Sequence, residues 1–130
     1  MESETSDYRA EIRAPIYPTE DYKILVSCLS KLFPEADWDI QDDMVIGDTR
    51  SLYRFSEILR DLKIRDTARM HMMAHVSSDT CEFVLSKQAS CSRRVNFFQG
   101  KQPLGGITVK ITSERIKGVI EELTCTEVSR

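Results

Sequence analysis

SLYRFSEILRDLKIRDTARMHMMAHV, residues 51–76, is the stretch on which the fold class turns. Leu52, Phe55, Ile58, Leu59 and Leu62 recur at helical spacing, while Arg54, Glu57, Arg60 and Asp61 occupy the opposite side. A second helical segment, Ile64 to about Val76, is apolar around most of its circumference through Ile64, Ala68, Met70, Met72, Met73, Ala74 and Val76, which predicts burial on two sides. Arg65 and Arg69 stand one turn apart in it and leave by the same flank.

Three strands are read downstream of a Ser77–Thr80 turn. Cys81, Phe83, Leu85, Lys87 and Ala89 share a face of the first, Val95 and Phe97 alternate with Arg94, Asn96 and Phe98 in the second, and Ile107, Val109 and Ile111 alternate with Thr108, Lys110 and Thr112 in the third. The Gly100–Gly106 connection, rich in glycine and proline, reads as a hairpin between the last two. Ser113 caps a final helix through Ile116, Val119, Ile120 and Leu123.

Upstream, Tyr8, Ala10, Ile12 and Ala14 alternate with Arg9, Glu11 and Arg13 as a strand ended by Pro15 and Pro18. Thr19 is the expected N-cap of a helix that buries Tyr22, Leu25, Cys28, Leu29 and Leu32 and stops before Pro34. Trp38, Ile40 and Met44–Ile46 form a second strand broken into two pieces across Asp42–Asp43 and closed by Gly47. The order is β-α-β-α-α-β-β-β-α. Helices grouped in the middle and strands grouped late imply an α+β fold, two layers thick, with a mixed or mostly antiparallel sheet covered on one face by helices. Residues 1–7 are expected to fray, 8–124 to form a single domain and 125–130 to be a tail.

With 130 residues the chain can bury a core without metal or disulfide. There is no run of apolar residues long enough to span a membrane, and MESETSDYRA does not resemble a signal peptide, so the expected location is the cytoplasm. The formal charge is −3, but it is unevenly placed. Residues 1–49 carry 4 basic and 12 acidic side chains, residues 50–110 carry 11 and 5, and residues 111–130 carry 3 and 4. The middle segment could therefore present a positive face, unless the two halves of the chain neutralise each other.

Chemistry-bearing motifs are sparse. Cys28, Cys81, Cys91 and Cys125 form no CxxC pair, so free thiols are expected, with Cys28 and Cys81 as small buried hydrophobes. His71 and His75 are four apart, but HMMAH lacks the glutamate of the zinc-protease pattern and no third ligand is fixed nearby except Asp79. GKQPLGG matches no phosphate loop. The acidic run from Glu35 to Asp48 reads as a solvated loop. No metal, cofactor or catalytic group is expected. The basic constellation is more informative: Arg50, Arg54, Arg65, Arg69, Lys87, Arg93, Arg94 and Lys101, interleaved with Tyr53 and Phe98, could neutralise phosphates and stack on bases. Lys87 shares the face of Phe83 and Leu85, so its stem must snorkel out or its ammonium must meet a carboxylate inside.

Four blocks also resemble a known family. APIYPTED at 14–21 with LFP at 32–34, SLYRFSEILR leading to IRDTAR at 64–69, FVLSKQAS at 83–90 with RVNFF at 94–98, and PLGGITVKI at 103–111 are similar to an archaeal family of unknown cellular role, described as RNA-binding by prediction and with a fold distantly like ribosomal protein L-five. The likeness runs from about residue 10 to 123. It implies an α+β fold and an RNA partner but transfers no established site residue. Among the polar residues matching the family pattern, Arg69, Lys87, Gln88 and Asn96 have no evident structural use. The chain departs from the pattern at Cys91-Ser92, where a glycine is usual, and at Gly106, where a proline is.

These observations converge on a non-catalytic domain contacting structured RNA or a ribonucleoprotein through phosphate contacts, with Arg69, Lys87, Arg93 and Arg94 foremost. The rival is a protein-interaction or homodimeric module with no nucleic-acid role. An enzyme ranks third and would centre on Lys87 beside Arg69 or a carboxylate.

Overall fold

The computed structural model describes residues 8–98 and 106–124. Strands β1 (Arg9–Pro15), β2 (Asp37–Gln41), β3 (Met44–Thr49), β4 (Val76–Ser77), β5 (Thr80–Leu85), β6 (Phe97–Phe98) and β7 (Ile107–Thr112) form one sheet. Helices α1 (Tyr22–Leu32), α2 (Tyr53–Asp61), α3 (Arg65–Ala74), α4 (Lys87–Cys91) and α5 (Ile116–Leu123) complete the α+β fold. The sheet runs β2-β3-β1-β7-β5-β4, with β6 also on β5, and every pairing is antiparallel.

Alternation decides which sheet face is buried. Ala10, Ile12 and Ala14 of β1, Val45 of β3, Cys81, Phe83 and Leu85 of β5, and Ile107, Val109 and Ile111 of β7 all lie under the helices. Their neighbours Arg9, Arg13, Asp48, Glu82 and Lys110 stand on the open face. Ile116, Val119, Ile120 and Leu123 of α5 are buried as their spacing demands, and so are Leu25, Cys28, Leu29 and Leu32 of α1. Rings stack in series from the core outward: Phe33 on Phe55 at 5.2 Å, Phe55 on Phe83 at 6.1 Å, Phe83 on Phe97 at 5.5 Å, Phe97 on His71 at 4.7 Å and His71 on His75 at 4.3 Å. The series ties α1, α2, β5, β6 and α3 together. Removing one of its buried phenyl rings should cost about 3–5 kcal/mol.

The structure departs from the sequence expectations at several points, each with a physical reason. Asp21, not Thr19, caps α1 by accepting the N–H of Lys23 at 2.9 Å, which leaves Tyr22 exposed at the first turn. Gly47 does not close a strand. It sits within β3, opposite Trp38 of β2, whose ring lies where a side chain would project, so that a Cβ would run into Trp38 Cζ3. Helix α3 is buried on one side only, at Ala68 and Met72, and Met70 is 72% exposed. The first late strand ends at Leu85, because Ser86 Oγ accepts the N–H of Ala89 at 3.1 Å and starts α4 instead.

The connection read as a hairpin is not one. β6 and β7 lie on opposite edges of β5, since β7 pairs with β5 from Thr80 to Leu85 and leaves only the outer edge for β6. Cys28 is not a free thiol either: it forms a disulfide with Cys91, 63 positions away, joining α1 to α4. Cys81 is free and buried as expected, and burial pushes its thiol up to about 12. No helix among the described residues is long and apolar enough to cross a membrane.

Candidate nucleic-acid interface

Charge divides between the two layers. Among the described residues, the strands and the tight turns of the β2–β3 and β4–β5 hairpins carry three basic side chains, Arg9, Arg13 and Lys110, against eight acidic ones. The helices and their connections carry thirteen basic against nine acidic. Antiparallel register lines Asp37, Asp48, Glu11, Lys110 and Glu82 across neighbouring strands of the open face. Arg9 bonds Asp48 at 2.9 Å and Arg13 approaches Glu11 at 3.4 Å, so the few cations of this face serve its own carboxylates. Charge is thus segregated by layer, with the carboxylate excess on the open sheet face and the cation excess among the helices, although Lys87 meets Glu20 of the acidic half.

Within the helical layer, the eight basic residues singled out from the sequence separate into distinct environments. Lys87 opens α4 and is 7% exposed. Its Nζ donates to Pro15 O at 2.6 Å and Glu20 Oε1 at 2.9 Å, and lies 4.9 Å from the centre of the Tyr17 ring. Glu20 Oε1 also accepts the N–H of Tyr17 at 2.9 Å. Burial works to raise the Glu20 carboxyl, but the Tyr17 amide and the Lys87 ammonium outweigh it and hold the group below its ordinary range. Lys87 thus locks α4 to the chain between β1 and α1, with its charge turned inward and matched. Of the two alternatives open for this lysine, the internal carboxylate is the one realised.

Arg54 pairs with Glu57 at 2.8 Å and Arg69 with Asp66 at 3.2 Å, each within a turn of its own helix. Glu35, the first residue of the acidic run, accepts the backbone N–H of Arg54, where a carboxylate suits a helix start. Arg65 is half-buried and also has a partner. Arg50 is exposed at the end of β3. Lys101 lies outside the described residues. The side chain of Phe98 is likewise outside them, and Tyr53 is 65% exposed on α2.

Arg93 and Arg94 differ from all of these. They leave the C-terminal end of α4 on a tight turn in which Ser92 and Arg94 donate backbone N–H groups to Ala89 O and Arg93 donates to Ser90 O, with Arg93 in the left-handed region at φ 57°. Both are exposed. Lys31 reaches the same corner, its Nζ donating to Cys91 O at 2.8 Å. The three cations thus meet beside the Cys28–Cys91 disulfide with no acidic partner among the described residues. Gln88 and Asn96, two of the polar residues matching the family pattern, are exposed on the same short segment.

Sequence reasoning singled out Arg93 and Arg94 but not Lys31, the pairing of Glu20 or the disulfide. Glu20 was legible only as a helix-start carboxylate, and its pairing with Lys87 spans 67 positions. The two histidines share the α3 flank as their spacing requires, and stack on each other instead of opening toward a common ligand. No group of three metal-ligating side chains occurs among the described residues.

No protein-family profile matches the chain. It is 34% identical over 118 residues to a UPF0201 protein of Methanothermobacter thermautotrophicus, covering 88% of this chain and 89% of that one. The crystal structure of a UPF0201 protein from Methanococcus jannaschii superposes with a TM-score of 0.83 at 31% identity, covering 89% of this chain and 98% of that one. A longer protein of Archaeoglobus fulgidus, named UPF0200/UPF0201, is 34% identical over 100 residues, 76% of this chain but 31% of that protein.

Proposed function

For this chain, which belongs to the archaeal UPF0201 family, we propose a non-catalytic role as a cytoplasmic RNA-binding domain that grips phosphates at the Lys31, Arg93 and Arg94 corner. The observation that carries this reading is the contrast in partners. Among the described residues Arg93 and Arg94 are exposed with no carboxylate in contact, whereas Arg54, Arg69 and Lys87 each have one. Exposed guanidinium groups with unused donors are suited to phosphate oxygens, which they contact in pairs. The acidic open face of the sheet favours an approach from the helical side, since a polyanion is repelled from one and attracted to the other. Gln88 and Asn96, exposed on the same segment as the arginines, supply neutral hydrogen-bonding groups. These contacts position a structured RNA without reading its sequence.

Lys87 was the centre of the enzymatic alternative. It does lie buried beside a carboxylate, Glu20, and its ammonium also meets Pro15 O and the face of the Tyr17 ring, contacts that equally serve to anchor α4. The reading is tested by fluorescence anisotropy with a labelled RNA hairpin. The wild type should bind at low salt and release as salt rises, and Arg93→Ala with Arg94→Ala should weaken it. Absence of binding at low salt, or binding indifferent to both arginines, would remove the proposal.

A second reading has its own observation. The Archaeoglobus relative joins the region similar to this chain to additional sequence bearing a second family name. This favours a protein-interaction module, in which the open sheet face meets another protein or a second copy. Light scattering on the purified chain tests for the second copy: a dimer supports this reading and a monomer removes self-association from it.

A further inference from the structure

The Cys28–Cys91 disulfide falls at the base of the turn that carries Arg93 and Arg94. Helix α4 has five residues, too few to hold itself together without tertiary anchors. Its two ends are anchored differently. The first end is held by the buried Lys87–Glu20 pair and the Ser86 cap. The last end is held by the disulfide to α1 and the Lys31 bond to Cys91 O. Residues 91–94 are all exposed, so no apolar burial supplements these two bonds until Val95. Arg93 takes φ 57° in a helix-ending turn closed by the Ser92, Arg93 and Arg94 backbone N–H groups, and that turn begins at the cysteine the disulfide holds.

We infer that Cys28–Cys91 is a thiol-exchangeable clasp: oxidised, it holds the arginine turn against α1, and reduced, it lets the end of α4 and the turn open. Cys91 is exposed and Cys28 is buried, so an external thiolate reaches the bond from the Cys91 side. With a dithiol reductant, one thiolate attacks Cys91 Sγ, forming a mixed disulfide and expelling Cys28, which takes a proton. The second thiolate of the reductant then attacks its own sulfur in the mixed disulfide and expels Cys91, which is protonated in turn. Two electrons pass to the protein, the reductant leaves as a cyclic disulfide, and the buried Cys28 is left as a neutral thiol suited to its site. What the turn binds rests on the RNA reading above; the clasp itself does not.

The test is trypsin digestion of the RNA-free protein, since trypsin cuts after arginine and lysine. Cleavage after Arg93 and Arg94, mapped by mass spectrometry, should be about tenfold faster with dithiothreitol than without it, because opening of the segment limits the cut. Cleavage after Lys63, exposed on the α2–α3 turn, should not change and serves as the control. Cys91→Ser should be cut at the fast rate under both conditions. Thiol titration of the denatured, air-purified wild type should find two free cysteines of the four, and four after reduction. Four free thiols before reduction, or equal cutting after Arg93 and Arg94 in the oxidised wild type, the reduced wild type and Cys91→Ser, overturns the clasp. A protein that binds no RNA yet shows the redox-dependent cut retains the clasp and loses the RNA reading.

Discussion

Lys87 and the Arg93–Arg94 pair are six positions apart and belong to the same basic segment, yet they occupy opposite environments. Lys87 is buried with its ammonium matched by a carboxylate, a carbonyl and a ring face. The arginines are exposed and unmatched among the described residues. The lesson is that a run of positive charge is not one object. Its first member builds the fold, and its last members stand exposed at the surface.

The largest effect expected from this contrast is on stability. Lys87→Met strands the Glu20 carboxylate, so unfolding in urea should show a loss of about 3 kcal/mol, the lower end for a broken buried pair because Glu20 retains some contact with water. Arg93→Ala with Arg94→Ala should change stability by less than about 0.5 kcal/mol in the same assay. If the two variants lost equal stability, the distinction between structural and available cations would fail.

Gly47 sharpens the same point from the acidic side of the molecule. Gly47→Val forces the Trp38 ring off the sheet and should cost about 1–3 kcal/mol by overpacking, read as a lowered urea midpoint, while leaving RNA affinity intact. A loss of affinity in the folded variant would place part of the binding surface on the β2–β3 edge.

A smaller effect lies in pH. The Glu20 carboxyl is held below its ordinary value of 4.5 in the folded chain. A depressed carboxyl stabilises the fold above the unfolded value, and that contribution is lost as pH falls from 4.5 through the folded value. Glu20→Gln should therefore flatten the acid limb of the stability profile measured by circular dichroism. His71 adds a gentler dependence at higher pH. Burial and then the nearby His75 hold its imidazole below 6.5, so its contribution is present above that pH and declines as pH falls past it. His71→Phe should remove this second slope. A profile unchanged by either substitution would contradict the assigned partners.

Much of this architecture is legible in the sequence where one physical rule dominates. The stripes of α1, α2 and α5 and the alternation of β1, β5 and β7 predict most of their buried faces, Tyr22 of α1 excepted, because one face of each is dry and the other wet. The failures occur where a local signal competes with a distant one. FVLSKQA alternates well enough to pass for a longer strand, yet the Ser86 cap and the pull of Glu20 on Lys87 turn it into a helix. Helix α3 looks apolar all round, but its methionines outnumber the neighbours available to cover them, so Met70 is left in solvent. The disulfide has no sequence signature at all, since 63 residues separate its halves and proximity arises from α1 packing on α4. Of the candidate interface, the arginines were visible as charges. Whether each was free was not, because that depends on acidic residues one turn or half a chain away.

The most direct test compares two double variants in one titration. The slope of the logarithm of RNA affinity against the logarithm of salt concentration counts the phosphates neutralised. For Arg93→Ala with Arg94→Ala the slope should become shallower than wild type by about two. For Arg54→Ala with Arg69→Ala, whose charges are already met by Glu57 and Asp66, it should scarcely move. Equal slopes for the two variants, or a larger change for the second pair, would contradict the account.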